Sequence, residues 1–389
     1  MTGDRPSILF GVTIDYQMRY HEGLYQRLAD DGWDVHLVSG AGPIGEALAQ
    51  YPGVSAHVLP MARAPHPIAD LRALCRWWWL LKRLRPRVVV VGTPKAGLLG
   101  GIAAAMRRVP VRLYELHGLR LESARGPLRV LLRMMERVSG ATATQVVAVG
   151  PSLRERALAE RLVPAEKIVV LGAGSPNGVD VRQFGDARHD ATARSTMREH
   201  LGIPASAQIV VFMGRLTADK GLAALAEAMA VVQQHSHAWL VIVGGIDDAS
   251  GVEGERLLRE AVARLVVVGE VADVRPYLAA ADVFCLPSRR EGMPTVVLEA
   301  FAARVPVVAT RATGIVDLVT DGKTGWLVPV DNAPALARAL RQALDDRETA
   351  RRMADAAAAL VSERFDREIV QRTWISTLEQ IRQQSRGSR

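Results

Sequence analysis

Short runs of Val, Ile and Leu recur along the whole chain and alternate with longer segments that mix polar and apolar residues. The runs are too short for ordinary helices, and their apolar residues are continuous rather than alternating. This pattern is typical of strands that are buried on both faces of a parallel sheet. The predicted strands lie at residues 7–14, 34–40, 56–61, 87–92, 112–118, 145–150, 167–174, 208–214, 238–245, 264–270, 282–288, 305–310 and 325–330.

The segments between these runs predict helices, for example at residues 23–32, 223–234 and 333–346. Strands that alternate with helices indicate an α/β architecture. Because 389 residues exceed what one hydrophobic core usually organises, we expect two lobes. The polar stretch around residue 186 separates an N-terminal lobe, residues 1–186, from a C-terminal lobe, residues 187–365.

The last part of the chain, residues 366–389, predicts an amphipathic helix. In a protein of two lobes, such a helix is expected to pack back on the first lobe. The apolar residues that would make this contact are Ile369, Trp374, Ile375, Leu378 and Ile381.

Composition places the chain among folded globular proteins, with 49% hydrophobic and 23% charged residues. The two cysteines, Cys75 and Cys285, stand far apart in apolar surroundings, so we expect core thiols in a reducing compartment rather than a disulfide. No run of about 18 apolar residues is free of charge. The N-terminal sequence MTGDRPSILFGV lacks a signal-peptide pattern. These features predict a cytoplasmic protein.

The net charge of +8 is unevenly distributed. Residues 61–140 contain sixteen Lys and Arg against four Asp and Glu, so the rest of the chain is net negative. Such an excess indicates a polyanionic partner, either a membrane surface or a nucleic acid. Most of it lies in RWWWLLKRLRPR (76–87) and RGPLRVLLRMMER (125–137).

These two basic segments favour a membrane. In 125–137 an arginine occurs at every fourth position, which predicts one cationic stripe along a helix. In 76–87 three tryptophans stand beside cations, and both residue types are common at bilayer interfaces. We therefore expect contact with an anionic membrane surface through both segments, on the inner face of the cell membrane, and no nucleic-acid partner.

Two glutamates flank a predicted helix start in REGMPTVVLEAFAARVPVVAT (290–310). Pro294 suits the first helical position, and the next three amides, at 295–297, would be free to bind a diphosphate. Glu299 lies about 7.5 Å farther along the axis at 1.5 Å per residue, which matches the offset from a diphosphate to its ribose. Glu291 would face a sugar at the opposite end. The alternative is a solvated loop glutamate and a capping glutamate.

A second pattern lies in FMGRLTADKGL (212–222). A predicted strand ends at Gly214, and Arg215 and Lys220 follow before the next helix. Two cations at the carboxyl end of a parallel strand can bind phosphate oxygens. Either cation alone is more often an ordinary surface charge, but the two together favour a phosphate site.

The order of these motifs resembles the retaining glycosyltransferases of family 4. The resemblance rests on GRLTADKG (214–221), on the long stretch from VVVGEVADV to VPVVAT (266–310) and on DGKTGWLV (321–328). It covers nearly the whole chain and is strongest from 205 to 330. It implies the GT-B fold, in which two facing Rossmann-like lobes with parallel sheets have a cleft between them.

The resemblance also implies roles for individual residues. Glu299 would hold the ribose of the donor, Glu291 would contact the donor sugar, and Arg215 and Lys220 would neutralise the diphosphate leaving group. The backbone near Val271 would meet the base. The donor-binding set is therefore Gly214, Arg215, Lys220, Val271, Glu291, Gly292, Met293, Pro294, Thr295 and Glu299.

In the first lobe, YELHG (114–118) resembles the family's strand-end His-Gly, whose histidine reaches the transferring sugar. A lone histidine such as His117 is otherwise more often a satisfied core or surface residue. With the family pattern, the expected catalytic residues are His117, Glu291, Arg215 and Lys220.

The acceptor site is expected around three other residues of this lobe. GTPKAGLLGG (92–101) resembles family members that extend polyprenyl-diphosphate-linked sugars, and Lys95 would hold the carrier diphosphate unless it is simply an exposed lysine. Gly11 and Tyr16 follow the first predicted strand. This loop lacks the paired glycines that are usual in the family.

These features together predict a retaining glycosyltransferase. The expected donor is a nucleotide diphosphate sugar, with uridine favoured over guanosine by the resemblance, and the expected acceptor is a hydroxyl of a polyprenyl-diphosphate-linked glycan. No D-x-D motif is present, so neither a metal nor another cofactor is expected. The alternatives are a nucleotide-sugar 2-epimerase of similar architecture and a non-enzymatic nucleic-acid- or membrane-binding protein. A dinucleotide oxidoreductase is disfavoured, because no G-x-G-x-x-G follows the first predicted strand.

Overall fold

A computed structural model describes residues 5–62, 66–189 and 191–387. The chain forms two compact units. The first consists of Met1–Asn177 with Val370–Arg389, and the second of Gly178–Ile369. We refer to them as the first and second lobes.

In the described part of the first lobe, seven parallel strands form one sheet in the order β3-β2-β1-β4-β5-β6-β7. The strands are β1 Ser7–Gly11, β2 Asp34–Ser39, β3 Val54–Val58, β4 Val88–Gly92, β5 Val111–Leu116, β6 Gln145–Ala148 and β7 Ile168–Val169. The α-helices are α1 Leu24–Asp30, α2 Pro43–Leu48, α3 Pro67–Leu84, α4 Pro94–Met106, α5 Gly126–Thr142 and α6 Pro151–Ala159. Short 3-10 helices occupy Asp15–His21, Arg120–Glu122 and Ala165–Lys167.

In the described part of the second lobe, six parallel strands are ordered β10-β9-β8-β11-β12-β13. They are β8 Ile209–Met213, β9 Trp239–Val243, β10 Leu265–Gly269, β11 Val283–Leu286, β12 Val307–Thr310 and β13 Trp326–Val328. The helices are α7 Val181–His189, α8 Ala191–His200, α9 Leu222–His235, α10 Ala249–Ala261, α11 Arg275–Ala280, α12 Thr295–Ala302, α13 Ala333–Asp345 and α14 Arg347–Arg364, with a 3-10 helix at Ala218–Lys220. The last helix, α15 Arg367–Gly387, begins in the second lobe and belongs to the first lobe from Val370 onward. The expected boundary at residue 186 falls inside α7.

Each predicted apolar run overlaps one strand, although the run at 167–174 is paired only at Ile168–Val169. Continuous apolar sequence suits these strands because helices cover both faces of each sheet. β4, for example, is VVVVG, and all five of its residues are buried. Both sheets have the doubly wound order of Rossmann-like folds, in which ligands bind at the carboxyl ends of the strands where the strand order reverses. These points are β1/β4 in the first lobe and β8/β11 in the second.

Helix α15 packs on the sheet of the first lobe. Val370, Trp374 and Leu378 are buried in the same hydrophobic cluster as residues of β1 and β2. Between them, the Gln371 side-chain amide donates hydrogen bonds to the carbonyl oxygen of Glu22, at 2.9 Å, and to the side-chain oxygen of Asn177, at 3.0 Å. The spacing of the buried residues is that of one helical face.

The two cysteines differ in environment. Cys285 is buried in β11, and burial raises the pKa of its thiol well above the usual range. Cys75 is exposed on α3, so the expectation that it is a core thiol was wrong. The cause is that Cys75 lies on the outward face of the helix, between the buried positions Ala73 and Trp77.

One buried carboxyl in the first lobe makes stability depend on pH. Glu136 of α5 is 7% exposed and accepts a hydrogen bond from the hydroxyl of buried Tyr114, at 2.7 Å. Desolvation raises the pKa of Glu136 to about 7, against the weaker opposing effect of that hydrogen bond. A carboxyl whose pKa is raised by folding stabilises the protein below its unfolded pKa, and this contribution is lost as pH rises through the folded value.

We therefore expect Glu136→Gln to raise the melting temperature relative to the wild type at pH 8 but not at pH 4.5. The glutamine keeps an acceptor for Tyr114 and carries no charge. The shift in pKa corresponds to a gain on the order of 3 kcal/mol in the free energy of unfolding at pH 8. Thermal and urea unfolding of both proteins at the two pH values measures it. Equal differences at both pH values would show that Glu136 does not titrate on unfolding.

Candidate functional site

The loops at the carboxyl edge of the second sheet contain most of the residues that the sequence predicts to bind a nucleotide sugar. Gly214 and Arg215 follow β8, Val271 follows β10, and Glu291 follows β11. Because the strands are parallel, their carboxyl ends meet at one edge of the sheet. Since β8 and β11 are neighbours, the two motifs that are far apart in sequence lie side by side.

Glycines allow the close approach of these two loops. Gly214 has a φ of +144° and Gly221 a φ of +70°, and both values favour glycine. A Cβ on Gly221 would lie 2.0 Å from the carbonyl oxygen of Pro287, so no side chain fits where the turn after β8 meets the loop after β11. A Cβ on Gly214 would be 3.5 Å from Cε of Lys220, whose side chain therefore runs past the end of the strand.

Lys220 and Glu291 form an ion pair at this edge. The Lys220 ammonium donates to Oε1 of Glu291 at 2.6 Å, and the two side chains are only 16% and 13% exposed. The other predicted cation, Arg215, pairs with Asp247 in the loop after β9 and is 65% exposed. Each of the two cations thus already contacts a carboxylate of its own lobe.

The loop after β11 is fixed by backbone hydrogen bonds. The amide of Arg289 donates to the carbonyl oxygen of Asp219 at 2.7 Å, and the amide of Glu291 donates to that of Thr313 at 3.1 Å. An ion pair joins Arg290 to Asp219. Gly292, Met293 and Pro294, which complete this loop, are buried. Glu291 is therefore attached to a backbone that is held on both sides.

Helix α12 begins at Thr295, one residue later than predicted. Pro294 is the N-cap in an extended conformation and makes no side-chain cap. The amide of Val297 donates to the carbonyl oxygen of Pro294 at 2.9 Å. The expectation that this amide is free to bind a ligand was therefore wrong. The reason is that the first turn closes with a tight hydrogen bond. Among the described residues, the amides of Thr295 and Val296 have no such partner.

Glu299 lies one turn into α12 and is partly buried. Desolvation raises its pKa to about 7, and the positive charge of Arg367 opposes this effect. At neutral pH the carboxyl is therefore close to the midpoint of its titration. The ionised form is purely an acceptor, whereas in the protonated form one of the two oxygens carries a donor.

In the first lobe, His117 follows β5 and is held by aromatic and acidic neighbours. Its ring lies against that of Tyr20, with 4.4 Å between the centroids. Its Nε2 lies 3.2 Å from Oε2 of Glu115, which is also 2.8 Å from Nε2 of His21. Burial alone would raise the pKa of Glu115, but the two imidazoles outweigh it and hold that pKa well below the usual range.

The other predicted residues of the first lobe are engaged within it. Lys95 is buried, and its ammonium donates to both oxygens of Asp70, at 2.7 and 2.8 Å. Lys95 is therefore not the simply exposed lysine of the alternative interpretation, and its contact with a carrier diphosphate stays a prediction. Gly11 is required by packing, since a Cβ there would lie 2.5 Å from the ring of Trp77. Tyr16 is 52% exposed, in the 3-10 helix after β1.

Two family models match the chain. The model described as "Glycosyl transferase 4-like domain" matches residues 18–174, and "Glycosyl transferases group 1" matches residues 193–360. Together they extend over the sheets of both lobes. The chain belongs to the group 1 glycosyltransferases, family 4.

Curated relatives in this family resemble the glycosyltransferase over most of its length. It is 29% identical to the capsular polysaccharide biosynthesis glycosyltransferase CapM of Staphylococcus aureus, covering 92% of this chain and 93% of the relative. It is 27% identical to the UDP-Gal:alpha-D-GlcNAc-diphosphoundecaprenol alpha-1,3-galactosyltransferase of Escherichia coli, covering 83% of each chain.

Solved structures confirm the predicted GT-B class. A glycosyltransferase from Rickettsia africae superposes with a TM-score of 0.79 at 19% identity, covering 97% of this chain and 99% of that one. Anabaena Alr3699/HepE in complex with UDP and glucose superposes with a TM-score of 0.79 at 22% identity, covering 96% and 99%. At these identities the likeness concerns the fold, which is that of two Rossmann-like α/β lobes.

The basic segments of the glycosyltransferase differ in how they present their charge. On α5 the arginines face the lobe: Arg129 bonds to Glu160, Arg133 to the carbonyl oxygen of Glu160, and Arg137 to that of Arg161. These acceptors lie at the end of α6, where a helix dipole favours cations. The predicted cationic stripe therefore faces α6 at these three positions, and the outward face of α5 is apolar. Its exposed apolar residues are Leu128, Val130, Leu131, Met134 and Val138.

On α3, in contrast, cations and apolar groups share the outward face. Trp77 is buried in the core, whereas Trp79 is 60% exposed and has the Lys82 ammonium 4.6 Å from its ring centroid. The exposed residues of this face are Ile68, Leu71, Arg72, Cys75, Arg76, Trp79, Lys82 and Arg83. Helix α4 packs between α3 and α5, so the three helices lie on one side of the first sheet.

Sequence reasoning missed the partners of the site residues. Asp247, His21 and Asp70 lie outside the motifs that had been singled out, and Glu115 lies within YELHG (114–118) but had been given no role. In the described part of the chain, no cluster of three His, Cys, Asp or Glu side chains suits a metal ion. Within that same part, no helix combines the length and the apolarity that crossing a bilayer requires.

Proposed function

We propose that this glycosyltransferase transfers a sugar, with retention of configuration, from a UDP-linked donor to a hydroxyl of a lipid-linked glycan in polysaccharide assembly. The observation that carries the proposal is the Lys220–Glu291 pair beside the free amides of Thr295 and Val296. It combines a cation and backbone donors for a diphosphate with a carboxylate for sugar hydroxyls. Support for the donor and acceptor classes comes from the similar Escherichia coli galactosyltransferase, which is named for UDP-Gal and a diphosphoundecaprenol-linked sugar, and from the Anabaena structure in complex with UDP and glucose.

In this proposal, the donor replaces the internal partners of the two cations. Phosphate oxygens take the place of Glu291 on Lys220 and of Asp247 on Arg215, and Glu291 turns to the sugar. Charge-assisted contacts to phosphate are strong, and the displaced carboxylates gain other donors, either sugar hydroxyls or water. Ionised Glu299 accepts hydrogen bonds from the ribose, and the backbone near Val271 meets the base.

The proposed reaction proceeds on one face of the sugar. The acceptor oxygen forms a bond to the anomeric carbon while the bond from that carbon to the phosphate oxygen breaks. The acceptor's proton passes to the leaving phosphate. Lys220 and Arg215 offset the charge that develops on the leaving group, so the enzyme acts by positioning and electrostatics, without a metal or a cofactor. His117 is proposed to contact the transferring sugar.

The function is tested with a panel of UDP- and GDP-sugars, each with and without a polyprenyl-diphosphate-linked glycan. We expect at least one UDP-sugar to raise the melting temperature, because a bound ligand stabilises by RT ln(1 + [L]/Kd). We expect the same donor to be consumed only with acceptor, giving an α- or β-linkage that matches the donor. Conversion of the nucleotide sugar without acceptor would instead indicate an epimerase, and an inverted linkage would contradict retention.

Removal of either cation tests the phosphate site. We expect Lys220→Ala and Arg215→Ala each to lower kcat at least tenfold, which corresponds to about 1.4 kcal/mol of transition-state stabilisation. Initial rates with the donor found above measure this, with melting curves to confirm folding. The matched control is Lys323→Ala, which removes an exposed lysine from the loop before β13. A wild-type rate in either variant would contradict the proposal that the substituted cation contacts the diphosphate.

We further propose that the face formed by α3, α4 and α5 contacts an anionic membrane and so brings the enzyme to its lipid-linked acceptor. The exposed arginines and lysine of α3 supply the charge, each worth about 1 kcal/mol near an anionic surface. The apolar face of α5 supplies side chains that enter the boundary between headgroups and acyl chains. Met106, at the end of α4, is 61% exposed beside them.

This surface predicts a difference between two exposed apolar residues. Met134 on α5 is 60% exposed and Val252 on α10 of the second lobe is 57% exposed. We expect Met134→Glu to weaken cosedimentation with phosphatidylglycerol vesicles at least fivefold. The substitution removes an apolar contact with the membrane worth about 1 kcal/mol and puts a negative charge in its place. Val252→Glu should leave cosedimentation at the wild-type level. Vesicles of neutral phosphatidylcholine should bind neither the wild type nor the variants. Equal loss in both variants would indicate a general effect of charge.

A further inference from the structure

Glu115 is a carboxylate buried between two strands at the carboxyl edge of the first sheet. It is 2% exposed and lies on β5, in register with Gly92 of β4 and Val147 of β6. Among the described residues, the titratable groups that lower its pKa are His21 and His117. The buried Tyr25 hydroxyl lies in the same region but donates to the carbonyl oxygen of Met18. A buried carboxylate requires donors of this kind to remain ionised.

His21 donates to Glu115 from a closed aromatic site. It is 3% exposed, and its ring has Phe10, Tyr25 and Trp374 at centroid distances of 5.3, 6.1 and 5.1 Å. Its Nε2 lies 2.8 Å from Oε2 of Glu115, and its buried Nδ1 has no hydrogen-bond partner. A proton on Nδ1 would be a buried donor without an acceptor, which is costly. His21 therefore holds its proton on Nε2 and donates it to Glu115.

His117 presents the same nitrogen to the same oxygen. Its Nε2 is buried and lies 3.2 Å from Oε2 of Glu115, although the two atoms are not aligned as a hydrogen bond. A lone pair on Nε2 would face a carboxylate oxygen and be repelled, so this nitrogen carries the proton. The tautomer of a histidine is set by what one nitrogen contacts. Nδ1 is then the ring nitrogen that is left for a substrate.

Two neighbours keep the ring in this position. The Tyr20 ring covers one side of it, at 4.4 Å. On the neighbouring strand, a Cβ on Gly92 would lie 2.6 Å from Nε2 of His117, so only glycine leaves room for the imidazole. Gly92 thus serves this histidine, although it was noticed in the sequence only as part of the segment 92–101.

We propose that Glu115, supported by His21, is a positioning residue that fixes His117 as the Nε2–H tautomer, so that Nδ1 is the atom that bonds to a hydroxyl of the transferring sugar. The tautomer follows from the first lobe alone. The contact with the sugar rests on the function proposed above.

The test is a measurement of the tautomer in the full-length protein without substrate. Long-range ¹H–¹⁵N spectra of the ¹⁵N-histidine-labelled chain distinguish the two tautomers, and His117→Asn identifies the signals of His117. The spectra are recorded at pH 8, where an ordinary histidine is neutral. We expect the Nε2–H form in the wild type. In Glu115→Gln we expect a mixture of tautomers, because the amide offers the ring both a donor and an acceptor.

The same variants are compared in the transfer reaction. We expect Glu115→Gln to lower kcat about tenfold while the KM of the donor changes less than twofold, which is the pattern of a lost transition-state contact. The matched control is Glu136→Gln, the same substitution at the other buried glutamate near β5, bonded to Tyr114 and not to a histidine. It should leave both the tautomer of His117 and kcat unchanged. Gly92→Ala, which displaces the ring without removing its partner, should lower kcat as Glu115→Gln does.

The outcomes separate this proposal from the proposed function. An Nδ1–H tautomer in the wild type, or unchanged tautomer signals in a folded Glu115→Gln variant, would overturn the positioning role even if sugar transfer is observed. The expected tautomer in a chain that transfers no sugar would support the positioning of His117 and contradict the proposed function. If Glu115→Gln does not fold, the wild-type spectrum and the rate of Gly92→Ala decide the question.

Discussion

The adjacency of parallel strands β8 and β11 is the constraint on which the proposed donor site of this glycosyltransferase depends. It brings the turn that contains Lys220 against the loop that contains Glu291, 71 residues later in the chain. The approach is close enough that Gly221 has no room for a Cβ beside the carbonyl oxygen of Pro287. The glycines of the motif are thus a consequence of strand order. Lys220 and Glu291 can form their ion pair because the backbone at Gly221 packs directly against the backbone at Pro287.

Balanced charge is the second feature of the functional residues. Lys220, Arg215 and Lys95 each contact a carboxylate of the same lobe, and Glu115 contacts two imidazoles. Burying an ion pair costs about as much desolvation energy as the pairing returns, so such pairs add little stability. Their effect is to hold long side chains in defined places. Lys95 is the least exposed of these three cations, and Arg215 is the most exposed.

Sequence patterns predicted the strands, the two-lobed class and the residues at the carboxyl edge, because these depend on local periodicity and on short motifs. They did not predict which groups pair with those residues. Asp70 and Asp247 lie 25 and 32 positions from the cations that they bind, and only the packed fold relates them. The arginines of α5 illustrate the same limit. The spacing of Arg129, Arg133 and Arg137 predicts one helical face, but only the packed fold shows that their acceptors lie at the end of α6.

The two buried glutamates of the first lobe show how neighbours, rather than burial, decide the state of a carboxyl. Glu115 and Glu136 are both almost fully buried, and desolvation acts on both in the same direction. Two imidazoles keep Glu115 ionised, whereas Glu136 has one hydroxyl partner and a pKa of about 7. Burial alone would favour the neutral form of both carboxyls, that of Glu115 on β5 and that of Glu136 on α5. The donors assembled around Glu115 distinguish it from Glu136 and support the positioning role that we propose for it.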